Sequence, residues 1–207
     1  VPFSDPIADG PIIQRASERA LNRGVNLDTC LHFVNDFRVS NKVTPIVLMG
    51  YMNPIEQFGW DDFADKAARV GVDGVLVVDC PPEESKKFFD KLKVMHIDCI
   101  HLVAPTTSEE RLKKILEEAS GYIYYVSLRG VTGSDKLNPV DVSQKINFVK
   151  KYTKLPVAVG FGISSRKSVS DIATTDADGV VIGSALIRAM EEAGLEGKSP
   201  IETVKSR

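Results

Sequence analysis

Short, nearly continuous apolar runs alternate along the chain with longer stretches whose apolar positions recur every three or four residues. The runs are Pro45–Tyr51, Gly74–Val78, Cys99–Val103, Tyr122–Ser127, Pro156–Gly160 and Gly179–Ile182. Each reads as a strand covered on both faces, since a half-exposed strand would alternate apolar and polar positions. The amphipathic stretches Trp60–Val70, Pro82–Val94, Ser108–Ala119, Pro139–Lys151, Ser165–Thr174 and Ser184–Glu192 read as helices, and Ile12–Val39 reads as further helical material. Ser108, and Ser184 after Gly183, are expected helix starts. Regular β-α alternation predicts an α/β fold with a parallel sheet under helices.

The spacing separates two architectures of that class. Strand centres recur about every 27 residues, the span of one parallel βα repeat. An open doubly wound sheet would carry a G-x-G-x-x-G turn after a strand, and none does. The reading is therefore a (β/α)8 TIM barrel. Such a barrel has eight strands and only six runs are visible, with Val1-Pro2-Phe3 resembling the end of another. The first strand–helix unit and most of the second strand, about 40–50 residues, are expected ahead of Val1. Ile201–Arg207 starts an amphipathic pattern that stops at the last residue, so the C-terminal helix is expected to be clipped as well. Residues 1–207 are read as a single, partial barrel domain.

Composition narrows the function. Of 207 residues, 43% are hydrophobic and 26% charged, with a net charge of −2, which gives no electrostatic case for nucleic acid or an anionic membrane. Runs such as VLVV and VAVGFGI are too short to span a bilayer. Cys30, Cys80 and Cys99 are scattered, without metal-ligand spacing and away from His32, His96 and His101. They suit reduced thiols in a cytoplasmic protein, with no metal expected.

In a barrel of this kind the chemistry lies in the loops that follow the strands. Gly130-Val131-Thr132-Gly133, Gly160-Phe161-Gly162-Ile163-Ser164 and Gly183-Ser184 end three consecutive strands. One glycine loop is usually only a tight turn. Three in this order point to a phosphate cradle of backbone N–H groups beside a helix N-terminus. Asp5 and Asp9 lie four apart in the stiff loop Pro2–Pro11. They could hold a catalytic carboxylate rigidly or simply cap a turn. Tyr51 and Tyr124 end strands, and core packing is the default for either. Asn53-Pro54 reads as a turn and helix start.

The segments PFSDPIADGP, LMGYMNP, GVDGVLVVDCPPEE, YYVSLRGVTG, GFGIS and IGSAL, in this order from Pro2 to Leu186, resemble the tryptophan synthase α family. The resemblance implies a lyase: retro-aldol cleavage of indole-3-glycerol phosphate to indole and glyceraldehyde 3-phosphate, in tryptophan biosynthesis. It implies no cofactor on this chain. Pyridoxal phosphate is expected only in a β subunit, the partner in an α2β2 assembly. Asp9 then matches the aspartate that accepts the indole N–H. Gly133, Gly162, Gly183 and Ser184 match the phosphate loops, and Tyr124 and Thr132 the residues near the glycerol chain and the mobile loop. Phe161, Leu76 and Tyr51 match pocket residues, while Asp5 and Asn53 face the β subunit. The family motif E-L-G-x-P-F-S-D-P places the second catalytic carboxylate, a glutamate, just upstream of Val1. Gly130–Leu137 is expected to be a lid, from its small and polar residues. The rival readings are another phosphate-binding barrel enzyme, such as indole-3-glycerol phosphate synthase, and an inactive barrel serving as a partner-binding subunit.

Overall fold

The structure, a computed structural model, describes residues 1–81, 83, 85–127, 139–160, 162–163 and 165–206. Six parallel strands pair in chain order: β1 (Val47–Gly50), β2 (Gly74–Val77), β3 (Asp98–Val103), β4 (Ile123–Val126), β5 (Val157–Gly160) and β6 (Gly179–Val180). All six expected runs are strands, and the parallel sheet under helices matches the expected α/β class.

Side-chain alternation divides the core. Leu76, Ile100, Tyr124 and Val126 cluster on one face of the sheet with Met49, Leu102 and Val181. The alternate residues, among them Val75, Val77 and Cys99, pack on the opposite face with Leu31, Phe63, Phe88 and Phe89. A second outer cluster joins Ile123, Tyr125, Val157 and Val159 to Leu112, Ile146 and Ile172. Burying each such side chain stabilises by about 1.5–3 kcal/mol, which is why the strand runs are almost wholly apolar.

The helices are α1 (Pro11–Leu21), α2 (Leu27–Ser40), α3 (Met52–Phe58), α4 (Trp60–Val70), α5 (Lys86–Val94), α6 (Glu109–Glu118), α7 (Pro139–Lys150), α8 (Arg166–Ala173), α9 (Ser184–Leu195) and α10 (Pro200–Lys205). The stretch Ile12–Val39 is two helices. The first ends before Gly24, whose φ of 75° suits glycine. The second begins at Asn26, whose side chain accepts from Thr29 N–H at 2.9 Å. Ser108 caps α6 as expected, accepting from Arg111 N–H. The N-cap of α9 is Gly183, with Ser184 the first helical residue. Val1–Phe3 forms no strand, although Val1 N donates to Met49 O at 2.8 Å beside β1.

The N-terminal ends of the strands are fastened by side chains. Asp73, just ahead of β2, accepts the Ile46 N–H at 2.6 Å and pairs with Arg38. Ser120, ahead of β4, accepts the Cys99 N–H at 2.8 Å. Asp178, ahead of β6, accepts the Val157 N–H at 2.7 Å and pairs with Lys150 at 2.8 Å. In each case a residue leading into one strand satisfies an amide at the start of its neighbour.

Candidate functional site

A cavity of about 590 Å³ opens where the strands end, lined by Asp9, Tyr124, Gly162, Gly183 and Ser184. Residues far apart in sequence are thus brought to one hollow. Asp9 sits in a tight turn, its N–H donating to Pro6 O at 3.2 Å and its carbonyl accepting from Gln14 Nε2 at 2.8 Å. Gly10 then caps α1, with Pro11 in the first turn, where a missing N–H costs nothing. Tyr51 Oη donates to Asp9 Oδ2 at 3.1 Å and accepts from Ala8 N–H at 3.1 Å.

Tyr124 lies within β4, not at its end as expected, with its ring reaching over Gly160 of β5. A Cβ at Gly160 would fall 2.1 Å from Tyr124 Oη, so that position must stay glycine for the ring to lie where it does. Burial pushes the Tyr124 phenol up to about 12, which keeps it a hydrogen-bonding hydroxyl near neutrality. Gly162 has φ 76°, a conformation that favours glycine and turns the β5 loop toward the cavity. Gly183 and Ser184 bring the N-terminus of the 12-residue α9 to the same cavity, where first-turn amides and the positive end of the helix dipole attract an anion. The rest of the lining is apolar, with Ile12, Ile13, Met49, Ile163 and Val181. The arrangement can seat an apolar ring, accept a hydrogen bond with a carboxylate, and hold an anion on backbone amides.

A match over residues 1–206 to the family model described as tryptophan synthase alpha chain coincides with this geometry. The chain belongs to the tryptophan synthase alpha chain family. It is 56% identical over 193 residues to the alpha chain of Polynucleobacter necessarius subsp. necessarius (strain STIR1), which covers 93% of this chain and 72% of that one. It is 50% identical over 191 residues to the alpha chain of Neisseria meningitidis serogroup B, covering 92% and 73%. Its fold is similar to the crystal structure of the tryptophan synthase alpha subunit from Legionella pneumophila str. Paris, with TM-score 0.91, 42% identity, and coverage of 100% and 76%. It is also similar to a chain of the tryptophan synthase complex from Pyrococcus furiosus, with TM-score 0.85, 39% identity, and coverage of 99% and 81%.

The other expected positions fall elsewhere. Leu76 is 1% exposed in the inner cluster with Tyr124 and does not line the large cavity. Tyr51 is 4% exposed and stands behind the Asp9 loop, lining with Asp9 a separate cleft of about 280 Å³. Asp5 and Asn53 are exposed, Asp5 accepting from Ser4 Oγ at 2.5 Å. Thr132, Gly133, Phe161 and the expected lid Gly130–Leu137 lie outside the described residues. Among the described residues no group of three or more His, Cys, Asp or Glu could hold a metal, and no helix is long and apolar enough to cross a membrane. The apolar lining was not singled out in the sequence, since an isoleucine at a loop or strand end looks like any core residue.

Proposed function

We propose that this chain cleaves indole-3-glycerol phosphate to indole and glyceraldehyde 3-phosphate, as the α subunit working with a tryptophan synthase β subunit. The observation that carries the reading is one largely apolar cavity lined together by Asp9, Gly162, Gly183 and Ser184. Its volume suits a substrate of this size.

Breaking the bond between ring C3 and the glycerol chain needs an electron sink. Protonation at C3 makes one, leaving positive charge partly on the ring nitrogen. Asp9 accepts the ring N–H and stabilises that charge as it develops. A base takes the proton of the chain's C3′ hydroxyl and the new carbonyl forms. The C3–C3′ electron pair then returns to the ring and restores indole. No cofactor is needed on this chain, because the protonated ring is itself the sink. Both proton transfers suit a carboxylate whose ionised form is disfavoured by apolar walls. In the family motif that group is the glutamate ahead of Val1.

The phosphate is held by backbone amides at Gly162, Gly183 and Ser184, and by Gly133 through the resemblance. Tyr124 borders the glycerol chain. By the resemblance Phe161 is a pocket residue and Thr132 belongs to the mobile loop, while Leu76 acts indirectly, packed in the inner cluster with Tyr124, which lines the cavity. Asp5 and Asn53, both exposed, face the β subunit, where the pyridoxal phosphate resides.

The test is Asp9→Asn in the full chain carrying E-L-G ahead of Val1, assayed for indole release. Losing a charge-assisted contact at the reacting centre lowers kcat about 100- to 1,000-fold, with far less effect on KM, since the charge exists only in the transition state. Turnover at the wild-type level with the fold intact would leave Asp9 a turn-capping residue.

A further inference from the structure

Among the described residues, Tyr51 is the side chain that hydrogen-bonds the Asp9 carboxylate. The two residues are 42 apart in sequence, and the bond ties the Asp9 loop to the end of β1. The phenol is fixed from several sides. Its backbone leaves β1 and caps α3, where the next amide, Met52 N–H, donates to Asp79 Oδ1 at 2.7 Å. Its ring lies 5.4 Å from that of Phe3. Its oxygen accepts the Ala8 N–H at 3.1 Å.

That last contact sets the direction of the hydroxyl. The Ala8 amide brings its own proton to the phenol oxygen, so the phenol proton is free to point at the carboxylate, which has none when ionised. Oδ2 of Asp9 is thereby engaged, and Oδ1 remains to accept from a substrate. Burial pushes the phenol up to about 12, so the donor persists across the neutral range. Tyr51 is absent from the lining of the large cavity while Asp9 is part of it. The phenol thus meets the carboxylate from outside that cavity, in the adjoining cleft that Asp9 also lines.

We propose that Tyr51 is a positioning residue, whose hydroxyl, anchored by the Ala8 amide, locks Asp9 in the orientation that presents Oδ1 to the substrate N–H. The proposal rests on the reading of Asp9 given above. An unrestrained aspartate samples other rotamers, and displacement of about 1 Å at a reacting centre can cost up to about 100-fold in rate.

A double-mutant cycle of Tyr51→Phe and Asp9→Asn, assayed for indole release in the full chain, tests it. Phenylalanine keeps the ring and its packing on Phe3. Tyr51→Phe alone should lower kcat about 10- to 30-fold with KM changed less than about threefold, and should add less than about twofold on top of Asp9→Asn. Equal losses in both backgrounds would mean that Tyr51 acts through general stability, and would overturn the proposal. So would a rise in KM alone, which would make Tyr51 a substrate contact, and so would unchanged kcat. Wild-type turnover in Asp9→Asn alone would instead sink the reading of Asp9 itself, whatever Tyr51→Phe does. A crystal structure of Tyr51→Phe gives a readout without activity: Asp9 should occupy more than one rotamer, and a single wild-type rotamer would contradict the lock.

Discussion

The sheet has a hollow at each end, of about 590 Å³ where the strands finish and about 520 Å³ where they begin. Size does not distinguish them; the engagement of their polar groups does. Asp73 and Asp178 line the lower hollow, and each already accepts a backbone N–H and faces a cation. Lys150 first, and then the Val157 amide, hold the Asp178 carboxyl below the usual carboxylate range. At the upper end Asp9 is tied through one oxygen by a neutral phenol. The first turn of α9 meets that cavity at Gly183 and Ser184, where helix amides have no intrahelical acceptor. The carboxylates of Asp73 and Asp178 spend their hydrogen-bonding capacity on holding strands together, whereas Asp9 keeps one oxygen available. That is how one fold separates stability from chemistry.

Substitutions at the two ends should therefore fail in different assays. The largest effect belongs to Asp9→Asn, with a loss of about 3–4 kcal/mol of transition-state stabilisation and little change in unfolding free energy. A denaturant midpoint that fell as steeply as turnover would erase the distinction between the ends.

Acid should act first in neither hollow but in the layer behind β3. His101 is buried there edge-on to Phe89, ring centroids 4.8 Å apart, and its Nε2 has no hydrogen-bond partner among the described residues. Burial lowers its pKa from 6.5 to about 4; Glu118 opposes the shift, while Lys93 and Arg111 add to it. The unfolded chain thus takes up the proton before the folded one. Stability that is full above 6.5 should be lost as pH falls from there toward about 4, by up to about 3 kcal/mol. Asp178 titrates from a lowered carboxylate value, so its contribution should be lost only below 3.8. Urea unfolding at stepped pH checks this, and His101→Phe should flatten the upper step. An unchanged upper step in that variant would assign the acid response to other groups.

Asp178→Ala strands the buried Val157 N–H and should cost about 1–3 kcal/mol of stability, with kcat for indole release unchanged. A loss of kcat without a loss of stability would show that the lower end takes part in the chemistry. The smallest effect is expected at exposed Asp5. Asp5→Lys should weaken binding of the β subunit by about 1 kcal/mol, roughly fivefold in Kd, with the isolated fold unaffected. Calorimetric titration giving the wild-type Kd would remove Asp5 from the interface.

The strands were legible because burial on both faces leaves uninterrupted apolar runs, yet all but β3 are shorter than those runs. Pro45–Tyr51 became Val47–Gly50, and Gly179–Ile182 became two residues, since pairing needs a neighbour along the whole edge and β6 pairs only with β5. The break between α1 and α2 carried its signals, Gly24 and the capping Asn26, inside a stretch read as one helical block. The fastenings at the strand starts left the repeated Asp-Gly-Val at 73–75 and 178–180, whose meaning depends on which strand lies alongside. Asp9, Gly162, Gly183 and Ser184 could be named from motifs. The Tyr51–Asp9 bond could not, because no local pattern says which phenol folds behind which loop.

The most direct test of the division between the two ends is a crystal structure of the full chain bearing an indolyl-alkyl phosphate. The phosphate should sit on the amides at Gly162, Gly183 and Ser184, with the ring N–H donating to Asp9 and Tyr51 still bonded to the other carboxylate oxygen. A ligand found in the hollow lined by Asp73 and Asp178, or bound above with its ring N–H turned away from Asp9, would contradict the account.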